Sequence, residues 1–227
     1  MKIFQTLLFF VFVASTAMAQ PLRNSRVVGG FDIGAGFEQK NLMPSLQVYQ
    51  LLKIGKSGIF QAGYSFRLNR FMGSDINLLS SQNDTLQMDK TAVTMLNFGL
   101  KAQISLKWVE IGASADLFGL AFGGNREGLY VSSRAFNKTD TLNLHRKKQQ
   151  AGVRRGNLQL FNNNNSIGNL NADVYARVWV SRQVGLKVGY IFNLTQYRTD
   201  RALLNDNRDF RFTPRLFYVG VSFPILN

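Results

Sequence analysis

Residues 92–121 read AVTMLNFGLKAQISLKWVEIGASADLFGLA, and the alternation in this stretch decides the fold. Leu96, Phe98, Leu100, Ala102, Ile104 and Leu106 fall on one face, with Asn97, Gly99, Lys101, Gln103 and Ser105 on the other. Beyond Lys107-Trp108 the pattern resumes: Val109, Ile111, Ala113, Ala115 and Leu117 oppose Glu110, Gly112, Ser114 and Asp116. A period of 2 held this long on both sides of two residues predicts a hairpin with a two-residue turn. Its register sets Leu106 against Val109 and Ser105 against Glu110, apolar facing apolar and polar facing polar. A soluble strand usually has about 5–6 residues. A strand tilted across a bilayer needs about 9–11, with alternating faces.

The same unit recurs along the chain. Strands are predicted at 28–38, 45–54, 58–69, 92–106, 109–121, 170–181, 184–197 and 212–223. Phe31, Ile33, Ala35 and Phe37 oppose Gly30, Asp32, Gly34 and Gly36, and glycines on an inward face leave room for large neighbours in a narrow barrel. Phe60, Ala62, Tyr64, Phe66 and Leu68 oppose Gln61, Gly63, Ser65, Arg67 and Asn69. Later, Ala172, Val174, Ala176 and Val178 oppose Asn171, Asp173, Tyr175 and Arg177, and Leu186, Val188 and Tyr190 oppose Gly185, Lys187 and Gly189. The second strand alternates worst, since Tyr49 and Leu51 lie opposite Leu46, Val48, Leu52 and Ile54. Tight turns at 55–58, 107–108 and 181–183 follow even-numbered strands, and the longer connections (38–44, 70–91, 122–169, 198–211) follow odd-numbered ones. Tight turns at one end and long loops at the other are the asymmetry of an outer-membrane barrel. The expected fold is all-β: an eight-stranded antiparallel up-and-down transmembrane β-barrel.

Composition agrees with this reading. Hydrophobic residues are 45% of the 227, and the mean hydropathy is −0.07. A membrane barrel reaches such values because its apolar residues occupy every second position. The absence of cysteine excludes disulfides, thiolate metal sites and cysteine nucleophiles. Residues 1–19 carry Lys2, an apolar core from Leu7 to Ala14 and the small-x-small site Ala17-Met18-Ala19, a secretory signal peptide. Cleavage there leaves residues 20–227 as one barrel domain, and export weakens the nucleic-acid reading that the net charge of +14 invites.

The architecture resembles the small eight-stranded outer-membrane barrels of the OmpX and OmpA-transmembrane-domain type, and most of all the outer-membrane β-barrel proteins of the Bacteroidota. The resemblance covers residues 28–223 and rests on strand pattern and loop asymmetry, so it implies a fold and a location in the outer membrane of a Gram-negative cell. It also implies the barrel-insertion machinery and outer-membrane lipid, including lipopolysaccharide, as partners. Barrels of this kind typically end on an aromatic residue, whereas Phe223 here is followed by Pro224-Ile225-Leu226-Asn227.

The candidate sites are few. The inward face carries Asp32, Arg67, Lys101, Glu110, Asp116, Asp173, Arg177 and Lys187, equal numbers of acids and bases. Buried charges must be paired or hydrated, and eight strands enclose a lumen that side chains can fill. These eight are therefore expected to form a charge network that fills the lumen. His145 stands in a basic stretch and is expected to be solvated, with no serine or carboxylate pattern to make it a catalytic base. No cofactor, metal site or catalytic residue is indicated. The basic excess concentrates at 122–169, where eight Lys and Arg, among them Arg146, Lys147, Lys148, Arg154 and Arg155, meet only Glu127 and Asp140. Read as an irregular outer loop, this segment would face lipopolysaccharide phosphates, a surface polymer or a protein partner, and it lacks the aromatic platform of a nucleic-acid site. Asp84-Thr85-Leu86 and Asp140-Thr141-Leu142 are identical and look like the O-glycosylation site of Bacteroidota secreted proteins, which would place sugar on Thr85 and Thr141. Tyr49, Tyr64, Tyr190, Phe192, Phe217, Phe223 and Trp108 are candidates for the aromatic belts. The expected role is structural or in surface interaction, without catalysis. The rivals are a secreted lipocalin-like barrel with an apolar ligand inside, and a barrel enzyme acting on lipids.

Overall fold

The computed structural model describes residues 26–133, 144–156, 168–204 and 207–226. The segment expected to be a signal peptide, 1–19, and Thr141 lie outside the described residues. Eleven strands are present among the described residues: β1 (Val27–Glu38), β2 (Asn41–Ile54), β3 (Phe60–Leu79), β4 (Thr85–Leu106), β5 (Val109–Phe122), β6 (Arg126–Val131), β7 (Lys147–Val153), β8 (Leu170–Trp179), β9 (Gly185–Thr199), β10 (Asp209–Phe212) and β11 (Arg215–Leu226).

Two closed rings are stacked on one another. In the lower ring, β1, β2, β3, β4, β5, β8, β9 and β11 pair in that order, and β11 closes on β1 from Phe37↔Phe217 to Gly29↔Leu226. This is the eight-stranded antiparallel up-and-down barrel. In the upper ring, β3 and β4 run on beyond the barrel and are joined by β6, β7, the end of β9 and β10. Arg211↔Leu79 closes this second ring.

The opening hairpin forms in the expected register, Leu106↔Val109 and Ser105↔Glu110, with Lys107 left-handed at the turn (φ 51°). One irregularity redirects its far half. Phe98 pairs with Phe118 and Gly99 with Asp116, so Leu117 is the extra residue of a bulge. A bulge exchanges the faces beyond it, and so Phe118, Leu120 and Phe122 point outward. The alternation expected through Leu117 therefore stops there.

Residues 41–44, read from the sequence as part of a longer connection, belong to β2 and leave only a two-residue turn at 39–40. Three further stretches read from the sequence as loops are strands. Residues 70–91 continue β3 and β4, leaving only 80–84 as the connection. Residues 122–169 contain the β6–β7 hairpin, and 198–211 contain the end of β9 and most of β10. These parts evade the membrane pattern because their faces are inverted. On β4 the inward residues are Leu86, Met88, Val93 and Met95 above, then Asn97, Lys101 and Gln103 below. Outward, Gln87, Asp89 and Lys90 above give way to Leu96, Leu100, Ile104 and Leu106 below. On β3 the same exchange occurs between Asn69 and Phe71. The register pairs Leu68 with Leu96 and Arg70 with Thr94, so the two strands change at one level. Below this level the barrel is polar inside and apolar outside; above it, the reverse.

The upper ring consequently has a conventional hydrophobic core, including Phe71, Leu78, Leu86, Tyr130, Tyr197 and Phe210. Leu144 and Leu203 join it from the connecting segments. Between core and charges lies a layer of amides. Asn193 Nδ2 donates to Asn171 Oδ1 (2.8 Å), and Asn97 and Asn171 donate to Asp116 Oδ2 (2.7 and 2.8 Å). The lumen thus grades upward from ionic to amide to apolar, with each layer offering partners to the next.

The inward glycines accept tyrosine rings. A Cβ on Gly30 would stand 2.6 Å from Tyr49 Oη, and one on Gly112 would stand 2.6 Å from Tyr175 Oη and 2.7 Å from the Ala102 carbonyl oxygen. Tyr49 is inside the barrel, which corrects its expected place in an outer belt: the poor alternation of the second strand reflects a large aromatic needed among the charges. Gly112→Val is expected to destabilise the barrel by about 1–3 kcal/mol through this overpacking. Melting followed by gel mobility checks it against Ala113→Val, whose side chain points outward. Equal melting of the two variants would show that the Tyr175 ring does not need the gap.

Candidate functional site

The candidate site is the interior of the lower ring. Its side chains arrive from alternate positions of all eight strands, with Tyr218 and Ser222 coming from β11, since only inward residues can meet across a narrow lumen. All eight charged residues singled out in the sequence point inward and are buried. They form one connected network. Asp32, on β1, accepts from Lys101 (3.1 Å), Arg177 (2.8 Å) and Lys187 (3.0 Å). Arg177 also holds Glu110 at 2.6 Å. Lys187 reaches Asp173 at 3.3 Å, Asp173 pairs with Arg67, and Arg67 Nε lies 3.8 Å from Asp116.

Neutral side chains complete this network. Gln47 Oε1 accepts from Lys101 (3.3 Å) and Lys187 (3.2 Å), and Ser114 lies between Arg67 and Asp173, donating to the carboxylate. Tyr49 and Tyr175 flank the cations, with Lys101 Nζ 4.1 Å and 4.5 Å from the two ring centroids. Tyr175 donates its hydroxyl to Gln103 Oε1 at 2.7 Å. Gln47 and Ser114 lie on the inward face that alternation defines, but carry no charge to mark them in the sequence. Their role as links depends on what stands opposite them.

This arrangement is a filled interior. Each of the four carboxylates faces at least one cation, and the tyrosine rings occupy the space between the pairs. Burying charges is costly unless each is paired and hydrogen-bonded. Each of the eight has a partner of opposite charge from a strand distant in the chain, and Arg67 Nη1 is the one buried polar atom among them without a hydrogen bond. Among the described residues no group of three or more His, Cys, Asp or Glu side chains is placed to hold a metal ion. Charged and aromatic side chains fill the ionic layer, and apolar side chains fill the part above it. A lipocalin-like carrier needs an open apolar lumen, so the geometry gives that rival no support.

The other sequence candidates fall on the upper ring. Arg146, Lys147 and Lys148 are exposed where β7 begins, Arg155 is exposed just beyond its end, and Arg154 is partly covered. Lys148 pairs with Glu127 (3.4 Å), an exposed contact worth about 0–1 kcal/mol, and the more covered Arg154 pairs with Asp209 (3.3 Å). The basic residues therefore decorate a folded hairpin in place of the irregular loop expected from the sequence. His145, expected to be solvated, is half-buried, and its Nδ1 accepts the Ser132 amide at 3.2 Å, bracing the ends of the β6–β7 hairpin. Thr85 is half-buried in β4. Its neighbours in the tripeptide have structural roles: Asp84 accepts from the Tyr130 hydroxyl (2.9 Å) and the Ser133 amide (2.9 Å), and Leu86 belongs to the upper core.

Of the aromatics considered for belts, Tyr64, Tyr190, Phe192, Phe217 and Trp108 are exposed on the outside of the lower ring. Phe223 stacks on Phe31 with ring centroids 4.9 Å apart.

No family model and no curated protein matches this chain. Among solved structures it is similar to the outer membrane protein Ail of Yersinia pestis, studied in a phospholipid bilayer nanodisc, at TM-score 0.40 and 7% identity over 87% of this chain and 98% of that one. It is also similar to a major outer membrane protein from Thermus thermophilus, at TM-score 0.37 and 12% identity over 88% of this chain and all of that one.

Proposed function

We propose that this protein spans the outer membrane as a sealed barrel and serves a structural and surface-presenting role, without catalysis. The inversion of faces carries this reading. A continuous apolar exterior on the lower ring, from Leu106 and Val109 at the tight turn to Leu96 and Leu120, is too extensive for water and suits hydrocarbon. The upper ring, polar outside and apolar within, is built for the aqueous side. On β4 the apolar run from Leu106 to Leu96 rises about 25 Å when tilted, the height of the apolar band of such barrels. The turns at 55–58, 107–108 and 181–183 and both ends of the described chain lie at the opposite end from the upper ring, which puts them in the periplasm and the upper ring at the cell surface. Export by the signal peptide, delivery to the insertion machinery and contact with outer-leaflet lipid follow from this placement.

A lumen closed by ion pairs below and by a hydrophobic core above has no water path, so the porin-like role is not part of this reading. Purified protein in planar bilayers is expected to give no steady conductance beyond the bilayer's own, and to shift its gel mobility on heating. Stable open channels in the recordings would overturn the sealed-lumen reading. Recovery from cells as a detergent-free soluble monomer would overturn the membrane placement.

A further inference from the structure

The upper ring carries a cleft of about 640 Å³ on its outer wall, lined by Arg154, Arg155, Arg198 and Arg208, with Asp200 the one acid of the lining. The four arginines come from three segments. Arg154 and Arg155 follow β7, Arg198 lies on β9, and Arg208 precedes β10. Strand pairing brings them together: Gly152 is opposite Arg198, Arg198 is opposite Asp209, and the Thr199 amide donates to the Arg208 carbonyl oxygen (2.9 Å). Gly152 and Gly156 put no side chain between them.

Four arginines lining one cleft outnumber Asp200 and Asp209, the second of which pairs with Arg154, so the cleft is cationic and attracts an anion. Guanidinium forks match phosphate oxygens two at a time, so a phosphate is the anion that fits. The height of the cleft says what carries it. The Ala121 amide donates to the Arg155 carbonyl oxygen (2.7 Å), and Leu120 bridges to Gly156. Leu120 and Phe122, both exposed, are the last outward apolar residues of β5. The lower lip of the cleft therefore stands at the upper rim of the apolar belt, where lipid headgroups lie, and Arg198 stands four residues further out along β9 than Leu194.

We propose that this cleft binds a phosphate group carried on a glycolipid of the outer leaflet. The proposal rests on the membrane placement argued above. It is tested with the full chain reconstituted into phospholipid nanodiscs containing either bisphosphorylated lipid A or the same lipid after enzymatic dephosphorylation, with free pyrophosphate as a separate arm. Lipid retained by the purified discs is measured for three proteins: the wild type, R155Q/R198Q in the cleft, and R146Q/K147Q, which removes the same charge elsewhere on the upper ring. Heat-modifiable mobility of each sample reports insertion independently, so a protein that never enters the discs counts against the membrane placement and not against the cleft.

The wild type and R146Q/K147Q are expected to retain the phosphorylated lipid about tenfold over the dephosphorylated one, and R155Q/R198Q to lose that preference. Equal losses in the two variants would reduce the effect to general electrostatic attraction and overturn the site. Pyrophosphate bound as tightly as the lipid, and lost in R155Q/R198Q, would assign the cleft to a free phosphate compound and overturn the lipid.

Discussion

Asp32→Ala is expected to prevent stable assembly of the barrel. Asp32 is fully buried and holds three cations, Lys101, Arg177 and Lys187, at 3.1 Å or less. Removing one partner of a buried pair costs about 3–5 kcal/mol, because the other charge stays buried and uncompensated. Here one deletion strands three charges. Arg177 keeps Glu110 and Lys187 keeps Asp173, but Lys101 is left with only Gln47 and the two tyrosine faces. A loss of this size is a large fraction of the ~5–15 kcal/mol that separates folded from unfolded domains. The measurement is the fraction of heat-modifiable protein after refolding into detergent, for Asp32→Ala beside Lys101→Gln. Lys101→Gln removes one of three cations and leaves an amide to hydrogen-bond in its place, so its loss should be smaller. Refolding of Asp32→Ala to the wild-type yield and melting temperature would mean that water, not the three ion pairs, satisfies the interior.

Leu100→Arg is expected to destabilise the barrel by about 2–4 kcal/mol, the cost of an arginine against lipid at the bilayer midplane. Leu100 is 53% exposed on the outer face and is midway along the outward apolar run from Leu96 to Leu106. Depth decides the magnitude. Ile111, though 56% exposed, is paired with Ile104, one outward step above the Leu106↔Val109 turn pair. An arginine there can reach the headgroups, and Ile111→Arg should cost about 0–1 kcal/mol. Urea titrations of the barrel in lipid vesicles would rank the two. Equal and small effects would mean that the outer face meets water, and the membrane placement would fall with that result. The order Ile111→Arg worse than Leu100→Arg would instead place the bilayer lower on the barrel than drawn above.

Much of this protein was determined by sequence alone because a strand's side chains alternate with a period of 2 whatever surrounds them. The hairpin at 92–121, its register, the tight turns and the inward set of Asp32, Arg67, Lys101, Glu110, Asp116, Asp173, Arg177 and Lys187 all follow from that periodicity. Alternation identifies two faces but does not say which one is inside. Leu86 and Met88 alternate with Gln87 and Asp89 much as Leu100 and Ala102 alternate with Lys101 and Gln103, yet the apolar members point inward in the first case and outward in the second. Only ring closure decides between them, and in the upper ring that closure comes from β6, β7 and β10, which are too short to announce themselves.

The pairing within the lumen is likewise tertiary. Asp32 meets partners 69, 145 and 155 residues away along the chain, and no local pattern encodes such distances. The arginine cleft is of the same kind: Arg154 and Arg155 stand out as neighbours in the sequence, but Arg198 and Arg208 join them only because β9 lies between β7 and β10.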